Sequence, residues 1–332
     1  MLKSFCKTIC TLLFILIPQV LLSEDDNPNI ITEPKYGLGY FVLPPQYYTN
    51  EKLPIIDPPI AIDEIKPIVD HSEFMPPAGD QGPQNSCTAW AIAYAAKSFQ
   101  EAIERNYTPV NESQIFSPSY IYNQVSKGRN IGTSIVDGLK LITSSGCATL
   151  YDMPYNPYNW HYQPSNKIVE NAQQYRAKGW GVLGEYKITG RMIRPTPATD
   201  KIKRFISMGN VAIVGIKIYN NFFTPFKLQY NQQLAAKRYR ELTIGMNNPQ
   251  PLTIFQLGIP LEKAGDGVGW RDGVFMQRSG HRLSYAHAMV VVGYDEQKKV
   301  FKLLNSWGRQ WGLDGYCYIT YDLFQIFQQN HL

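Results

Sequence analysis

Gln81-Gly-Pro-Gln-Asn-Ser-Cys87-Thr-Ala-Trp90 runs straight into Ala91-Ile-Ala-Tyr-Ala-Ala-Lys-Ser-Phe-Gln-Glu-Ala-Ile-Glu-Arg105, and this stretch sets the reading of the chain. Ala89, Ile92, Ala93, Ala96, Phe99 and Ile103 recur at helical spacing, with Lys97, Gln100, Glu101 and Glu104 at polar positions. The spacing predicts a helix from Cys87 to about Arg105, stopped by Asn106 and Pro109. A cysteine at the mouth of a helix meets unsatisfied N–H groups and the positive end of the helix dipole. Both favour negative charge, so the expectation is a thiol of lowered pKa and a thiolate nucleophile. Downstream, Ala286-His287-Ala-Met-Val-Val-Val and Leu304-Asn305-Ser-Trp-Gly, followed by Trp311-Gly, add a base and an orienting amide.

Taken singly, each residue has an ordinary explanation. A cysteine on an Ala-rich helix is usually a small core residue. A histidine before a valine run is usually a satisfied core or edge residue, and an asparagine before Ser-Trp-Gly is a turn former. The order Gln-x5-Cys, His-Ala, Asn-Ser-Trp-Gly-x2-Trp-Gly outweighs those explanations, and it resembles the papain-like cysteine peptidases, the family that includes the cathepsins.

The resemblance implies roles for each residue. Cys87 would attack a carbonyl carbon, with His287 as general base and then acid. Asn305 would hold the imidazole, and Gln81 with the Cys87 N–H would stabilise the oxyanion. Each such donor is worth about 2.7–4 kcal/mol in comparable sites. Asn130-Ile-Gly132 resembles the glycine wall that pairs with substrate backbone, and Trp307 the tryptophan that shields the Asn–His contact. Ala286 stands before the histidine, where some members carry an acidic residue, and is taken with Gly132 and Trp307 as substrate-binding. Gly146 through Pro154-Tyr155 resembles the segment leading into the second lobe. The frequent Cys-Gly-Ser-Cys-Trp is here Gln84-Asn85-Ser86-Cys87-Thr88, without the neighbouring disulfide cysteine or the following tryptophan. Ser-Cys-Thr-Ala and Ser117-Pro118-Ser119-Tyr120 look more like bacterial members than animal or plant ones.

The first 23 residues read as a secretory signal: Lys3 and Lys7, then an apolar Ile9–Leu22, then Ser23-Glu-Asp-Asp. An uncleaved anchor is the competing reading. Pro18 and an apolar run short of the roughly 20 residues needed to span a bilayer count against it. Removal would leave 30 basic and 27 acidic residues, a net charge of +3 (30 − 27). That is too weak to argue for nucleic acid or an anionic membrane surface. Cys87, Cys147 and Cys317 would remain, an odd count that suits a free reactive thiol. Cys147 and Cys317 are read either as a pair or as two buried thiols. No zinc-like spacing or C-x-x-C pair is present, so neither metal nor cofactor is expected.

Residues 24–64 form an arm within a proline-rich stretch, with ten prolines between Pro28 and Pro77. Each lacks an N–H and disfavours helix before it, so the arm should be extended. It is unlike the longer helical prosegments of the family, yet its position makes it a candidate prosegment restraining the cleft. Val69-Asp70-His71 resembles the start of the mature domain, placing the domain at 65–332. Helices are expected from Ser117-Pro118, over Thr133–Ser144 and over Asp200–Met208. Strands are expected at Val211–Ile218, His287–Tyr294, Lys302–Ser306 and Tyr316–Tyr321. Helices first and strands second give an α+β fold, and the resemblance implies two lobes, one helical and one an antiparallel β-sheet or barrel, with the site in the cleft between.

His287 follows Cys87 by 200 residues, against the usual 130–150 or so, and roughly 50–70 residues look inserted at about 219–281. Its asparagines and glycines suit a lid at the cleft rim. The function implied is an exported peptidase acting on peptides or proteins, without nucleic acid or a stable membrane anchor. An exopeptidase on the same scaffold, a transferase using the same thioester, and an inactive peptide-binding relative are the alternatives.

Overall fold

The helix that opens at Cys87 runs to Arg105, where Asn106 enters the left-handed region (φ 56°) and closes it. Its winding is not uniform. Cys87–Ala89 and Ser98–Arg105 are α-helical, whereas Trp90–Lys97 is π-helical, and the continuous run is called α1 here. Ala89, Ala91, Ala93, Ala95 and Ala96 are all buried, so neighbouring elements approach its backbone closely. The computed structural model describes residues 12–15, 36–41, 53–184, 186–189, 192–195, 198–219, 240, 269–271, 274–276, 283–321 and 324.

The helices around α1 start where serines cap them. Ser117 accepts the N–H of Tyr120 at the head of α2 (Pro118–Val125), and Ser134 accepts that of Asp137 at the head of α3 (Ile135–Ser145). Ser165 caps a short α4 (Asn166–Ala172), which the sequence reading did not anticipate. Thr199–Ser207 forms α5, followed by Gly209 at φ 87°. These boundaries match the expected ones to within a residue or two.

The strands are β1 (Leu12–Ile15), β2 (Ile68–Asp70), β3 (Trp180–Val182), the separate hairpin β4 (Tyr186–Thr189) and β5 (Met192–Pro195), β6 (Ala212–Tyr219), β7 (Gly269–Arg271), β8 (Val274–Met276), β9 (Leu283–Asp295), β10 (Val300–Leu304) and β11 (Tyr316–Thr320). The main sheet runs β3-β1-β6-β9-β10-β11-β8-β7, with β2 also paired to β9. Its centre, β6-β9-β10-β11, is antiparallel, as the sequence reading required. Asp295 Oδ1 accepts the N–H groups of Gln297 and Lys298, which folds the turn between β9 and β10. One core joins α1, α2 and α3 to Ile213, Val290, Val292 and Leu304 of the sheet, and a second lies between α5 and the sheet's other face. The α+β two-lobe architecture therefore stands, with α1 at the seam.

Two features lie outside the expected plan. In the uncut chain, Leu12–Ile15 of the presumed export signal pairs in parallel with β3 and β6. The last part of the expected insertion belongs to the sheet, since β8 pairs with Tyr318 and Ile319 of β11. Trp270, Val274 and Phe275 are residues a pleated surface accommodates. Apart from Tyr219 at the end of β6 and Arg240, the rest of that insertion, and with it the expected lid, lies outside the described residues.

Cys87, Cys147 and Cys317 are all free and buried, so the pairing of Cys147 with Cys317 does not form. Of the described arm residues, 36–41 and 53–61 hold no helix, and a 3-10 turn follows at Ile62–Glu64. Ile56 N–H donates to Val182 O, and Arg204 of α5 donates to Ile60 O (2.6 Å), Asp57 Oδ1 (3.0 Å) and Pro58 O.

Candidate active site

α1 places Cys87 at its first position, under β9 of the opposite lobe, where the N–H of Ala288 donates to Cys87 Sγ at 3.4 Å. His287 precedes Ala288 on β9, and β10 ends where Asn305 begins the next turn. His287 Nε2 lies 2.7 Å from Asn305 Oδ1, which also accepts the N–H of Ser306 at 2.8 Å. A backbone N–H can only donate, so the Asn305 atom is the carbonyl oxygen and the imidazole proton sits on Nε2. Nδ1 of the neutral ring is then bare, and among the described residues it has no hydrogen-bond partner. It is the free base that the chemistry needs. Trp307 packs on the imidazole, ring centroids 4.5 Å apart, and keeps water from the Asn–His contact.

Gln81 is fully buried and its carboxamide is fixed on both sides. Ser306 Oγ–H donates to its Oε1 (2.6 Å), and its Nε2 donates to Gln84 O (2.7 Å) and Leu38 O (3.1 Å). Leu38 O also accepts the N–H of Cys87 at 3.2 Å. The two donors expected to hold an oxyanion thus converge on one carbonyl oxygen, and that oxygen belongs to the chain's own arm.

The arm crosses the whole cleft. Tyr36 stacks on Trp307 at 4.8 Å, and Trp307 Nε1 donates to Gly37 O at 3.1 Å. At the other end, Thr133 N–H donates to Gly39 O (2.7 Å) and Phe41 N–H to Thr133 O (2.9 Å), a parallel pairing beside Gly132. Tyr40 is buried against Gly215 of β6, where a Cβ would lie 2.2 Å from its ring. The polarity of this segment matters. A leaving amine must face His287, yet the residue after Leu38 leads towards Thr133, and the residues before it lie on the His287–Trp307 side. The Leu38–Gly39 peptide is therefore docked with its nitrogen on the Thr133 side, away from His287.

Burial, to which the docked arm adds, sets the electrostatics. Desolvation pushes the Cys87 thiol up to about 12, against the N–H groups of Ala288, Thr88 and Tyr40 that favour the thiolate. Desolvation likewise holds His287 down at about 4, only partly offset by Asn305. The expected low-pKa thiolate is corrected here: with the arm docked, the site holds a neutral thiol and a neutral imidazole. The helix mouth offers the same N–H groups, but exclusion of solvent outweighs them.

The structure brings Cys87, His287, Asn305, Gln81, Gly132 and Trp307 together. Ala286 lies on β9 beside His287 and packs, partly buried, on the core of the helical lobe. The sequence reading missed Ser306, which fixes Gln81, and Thr133, which pairs with the arm. It also missed Asn85, whose Oδ1 faces Leu38 N at 3.3 Å. Ser306 and Asn85 stand inside the quoted motifs, and their adjacency was the available signal. Among the described residues, no group of histidine, cysteine and carboxylate side chains could hold a metal. No helix there is long and apolar enough to cross a membrane.

Comparison with known proteins agrees with this geometry. The family model described as papain family cysteine protease matches residues 255–328, which include His287 and Asn305 but not Cys87. An uncharacterised peptidase C1-like protein of Acanthamoeba polyphaga mimivirus is 26% identical over 246 residues. That match covers 73% of this chain, and the chain spans 63% of the relative's length. Among solved structures, xylellain, a cysteine protease from Xylella fastidiosa, superposes with a TM-score of 0.60 at 21% identity. It covers 92% of this chain and 96% of its own, which shows the shared fold.

Proposed function

From a papain-like fold and a resemblance to the papain family cysteine proteases, we propose that this chain is an exported cysteine peptidase made as a zymogen, with the arm as its prosegment. The observation that carries the reading is the convergence of Gln81 Nε2 and Cys87 N–H on a single carbonyl oxygen beside the Cys87 thiol. In a substrate, that oxygen belongs to the scissile amide. Cys87 sulfur bonds to the carbonyl carbon while its proton passes to His287 Nδ1. The two donors hold the oxyanion. The C–N bond then breaks, and the amine leaves with the proton from His287. Water, deprotonated by the same nitrogen, opens the thioester and releases the acid. Asn305 keeps the ring in the tautomer that exposes Nδ1. Export is supported by Lys3, Lys7 and the apolar run Ile9–Leu22.

The test compares hydrolysis of a fluorogenic peptide amide by the full-length chain before and after limited proteolysis of the arm, with Cys87→Ala as control. Cysteine-dependent turnover that appears on cutting is expected. Absence of turnover after the arm is gone would overturn the peptidase reading, and equal rates before and after would leave the arm as a tether.

A further inference from the structure

Where members of the family carry a disulfide cysteine before the nucleophile, this chain has Gln84, and the loop is held by amides to the segment that joins α2 to α3. Asn130 Oδ1 accepts the N–H of Asn85 at 2.9 Å, and Asn130 O accepts Asn85 Nδ2 at 3.4 Å. The N–H of Asn85 only donates, which fixes Asn130 Oδ1 as the oxygen. Tyr122, buried on α2, then directs its hydroxyl proton to that oxygen (3.0 Å) or to Ile131 O (2.8 Å). Asn130 thus joins three parts: the turn before Cys87, the strand of chain that leads to Thr133, and the core of the helical lobe.

The joint reaches the reacting atoms at one remove. Gln84 O accepts Gln81 Nε2 and the N–H of Ser86, so a shift of Asn85 moves the acceptor that aims Gln81 and the turn that delivers the Cys87 N–H. On the other side, Ile131 and Gly132 carry Thr133, whose N–H and C=O pair with the backbone of whatever lies in the cleft. We propose that Asn130 is a positioning residue that makes the oxyanion hole and the backbone-docking wall one rigid surface, replacing a covalent staple with a hydrogen-bonded clasp. This rests on the peptidase reading for its catalytic consequence, though not for its structural one.

The test uses the full-length chain carrying Gly215→Val, which displaces the Tyr40 ring to open the cleft, with Asn130→Ala, Asn130→Asp and Tyr122→Phe added singly. Asn130→Ala should lower kcat/KM for a peptide amide about 10- to 100-fold, the scale of an ångström-level misplacement. Alkylation of Cys87 by iodoacetamide, which needs no oxyanion hole, should stay within about twofold. Asn130→Asp keeps both acceptor contacts and should recover most of the activity, with Tyr122→Phe intermediate. Amide hydrogen exchange should accelerate at 84–87 and at 131–133 together in Asn130→Ala and not in Asn130→Asp. Unchanged exchange in either segment overturns the clasp, as does loss of alkylation in parallel with turnover. Joint acceleration in a chain that hydrolyses nothing would uphold the clasp and overturn the peptidase reading.

Discussion

Gly39→Ala in the full-length chain isolates the arm from the machinery it covers. Gly39 has φ +117°, and a Cβ there would lie 1.9 Å from Asn85 O and 2.3 Å from the carbonyl carbon. The obstacle is backbone, held in place by Asn130, so no side-chain rotation relieves it. A residue with a side chain in that region of backbone space costs about 1–3 kcal/mol even before the clash. Taking about 2 kcal/mol as a working figure, the open fraction of the arm rises about 30-fold. The docked segment can answer only by giving up Leu38 O in the hole and the two bonds to Thr133, each worth about 0.5–1.5 kcal/mol. The assay is iodoacetamide labelling of Cys87 with mass mapping, in a protein whose melting temperature is unchanged. Cys147 and Cys317, both buried, report global opening. Gly209→Ala, which shares a positive φ (+87°) but has nothing within 4 Å, controls for backbone strain elsewhere. A Cys87 labelling rate equal to wild type, or one that rises only together with Cys147 and Cys317, refutes the argument that the arm seals the site.

Gly215→Val should expel the Tyr40 ring by filling the space now 2.2 Å from it, and should likewise raise Cys87 labelling; an unchanged rate would mean the ring does not anchor the arm. In arm-released protein, Cys87→Ala and His287→Ala should abolish turnover. Gln81→Ala should lower kcat about 100-fold with little effect on KM, since the oxyanion exists only beyond the ground state. Asn305→Ala should be milder, and steady-state kinetics separates the cases. Arm release should also be acid-promoted. His287 is held down at about 4 while the arm is docked, against an ordinary 6.5. A solvated ring binds the proton more tightly, so the His287 contribution to docking is fully present above about pH 6.5 and is lost as pH falls towards 4. Cys87 exposure that is flat from pH 7 to 4.5 would contradict this.

The residues that meet at the candidate site were legible because each stands in a short motif whose chemistry is specific. Gln81 and Cys87 lie in one motif, and His287 sits on β9 while Asn305 directly follows β10, two strands whose apolar runs announce them. Ser117-Pro118 marked the head of α2, and Ser134 caps α3 one residue inside the expected start at Thr133. The arm's seat was not legible, because Tyr36-Gly-Leu-Gly-Tyr-Phe41 carries no periodicity of its own. Its conformation is imposed by Trp307, Thr133 and Gly215, which lie far along the chain. The thiol's raised pKa was missed for the same reason, since it depends on what covers the helix mouth. The π-helical winding of Trp90–Lys97 escapes a reading based on period because all eight of its residues are buried, leaving no exposed face to mark the change.

The reversed polarity of the arm has a kinetic corollary. A peptide seated with its nitrogen away from His287 cannot be severed by the cysteine it covers, however long it stays. Under the peptidase reading, the first cut must come from a second molecule whose cleft is momentarily empty. Maturation is then bimolecular: progress curves start with a lag, the lag shortens as concentration rises, and a trace of mature protein abolishes it. A dilute population stays silent, and a crowded one ignites.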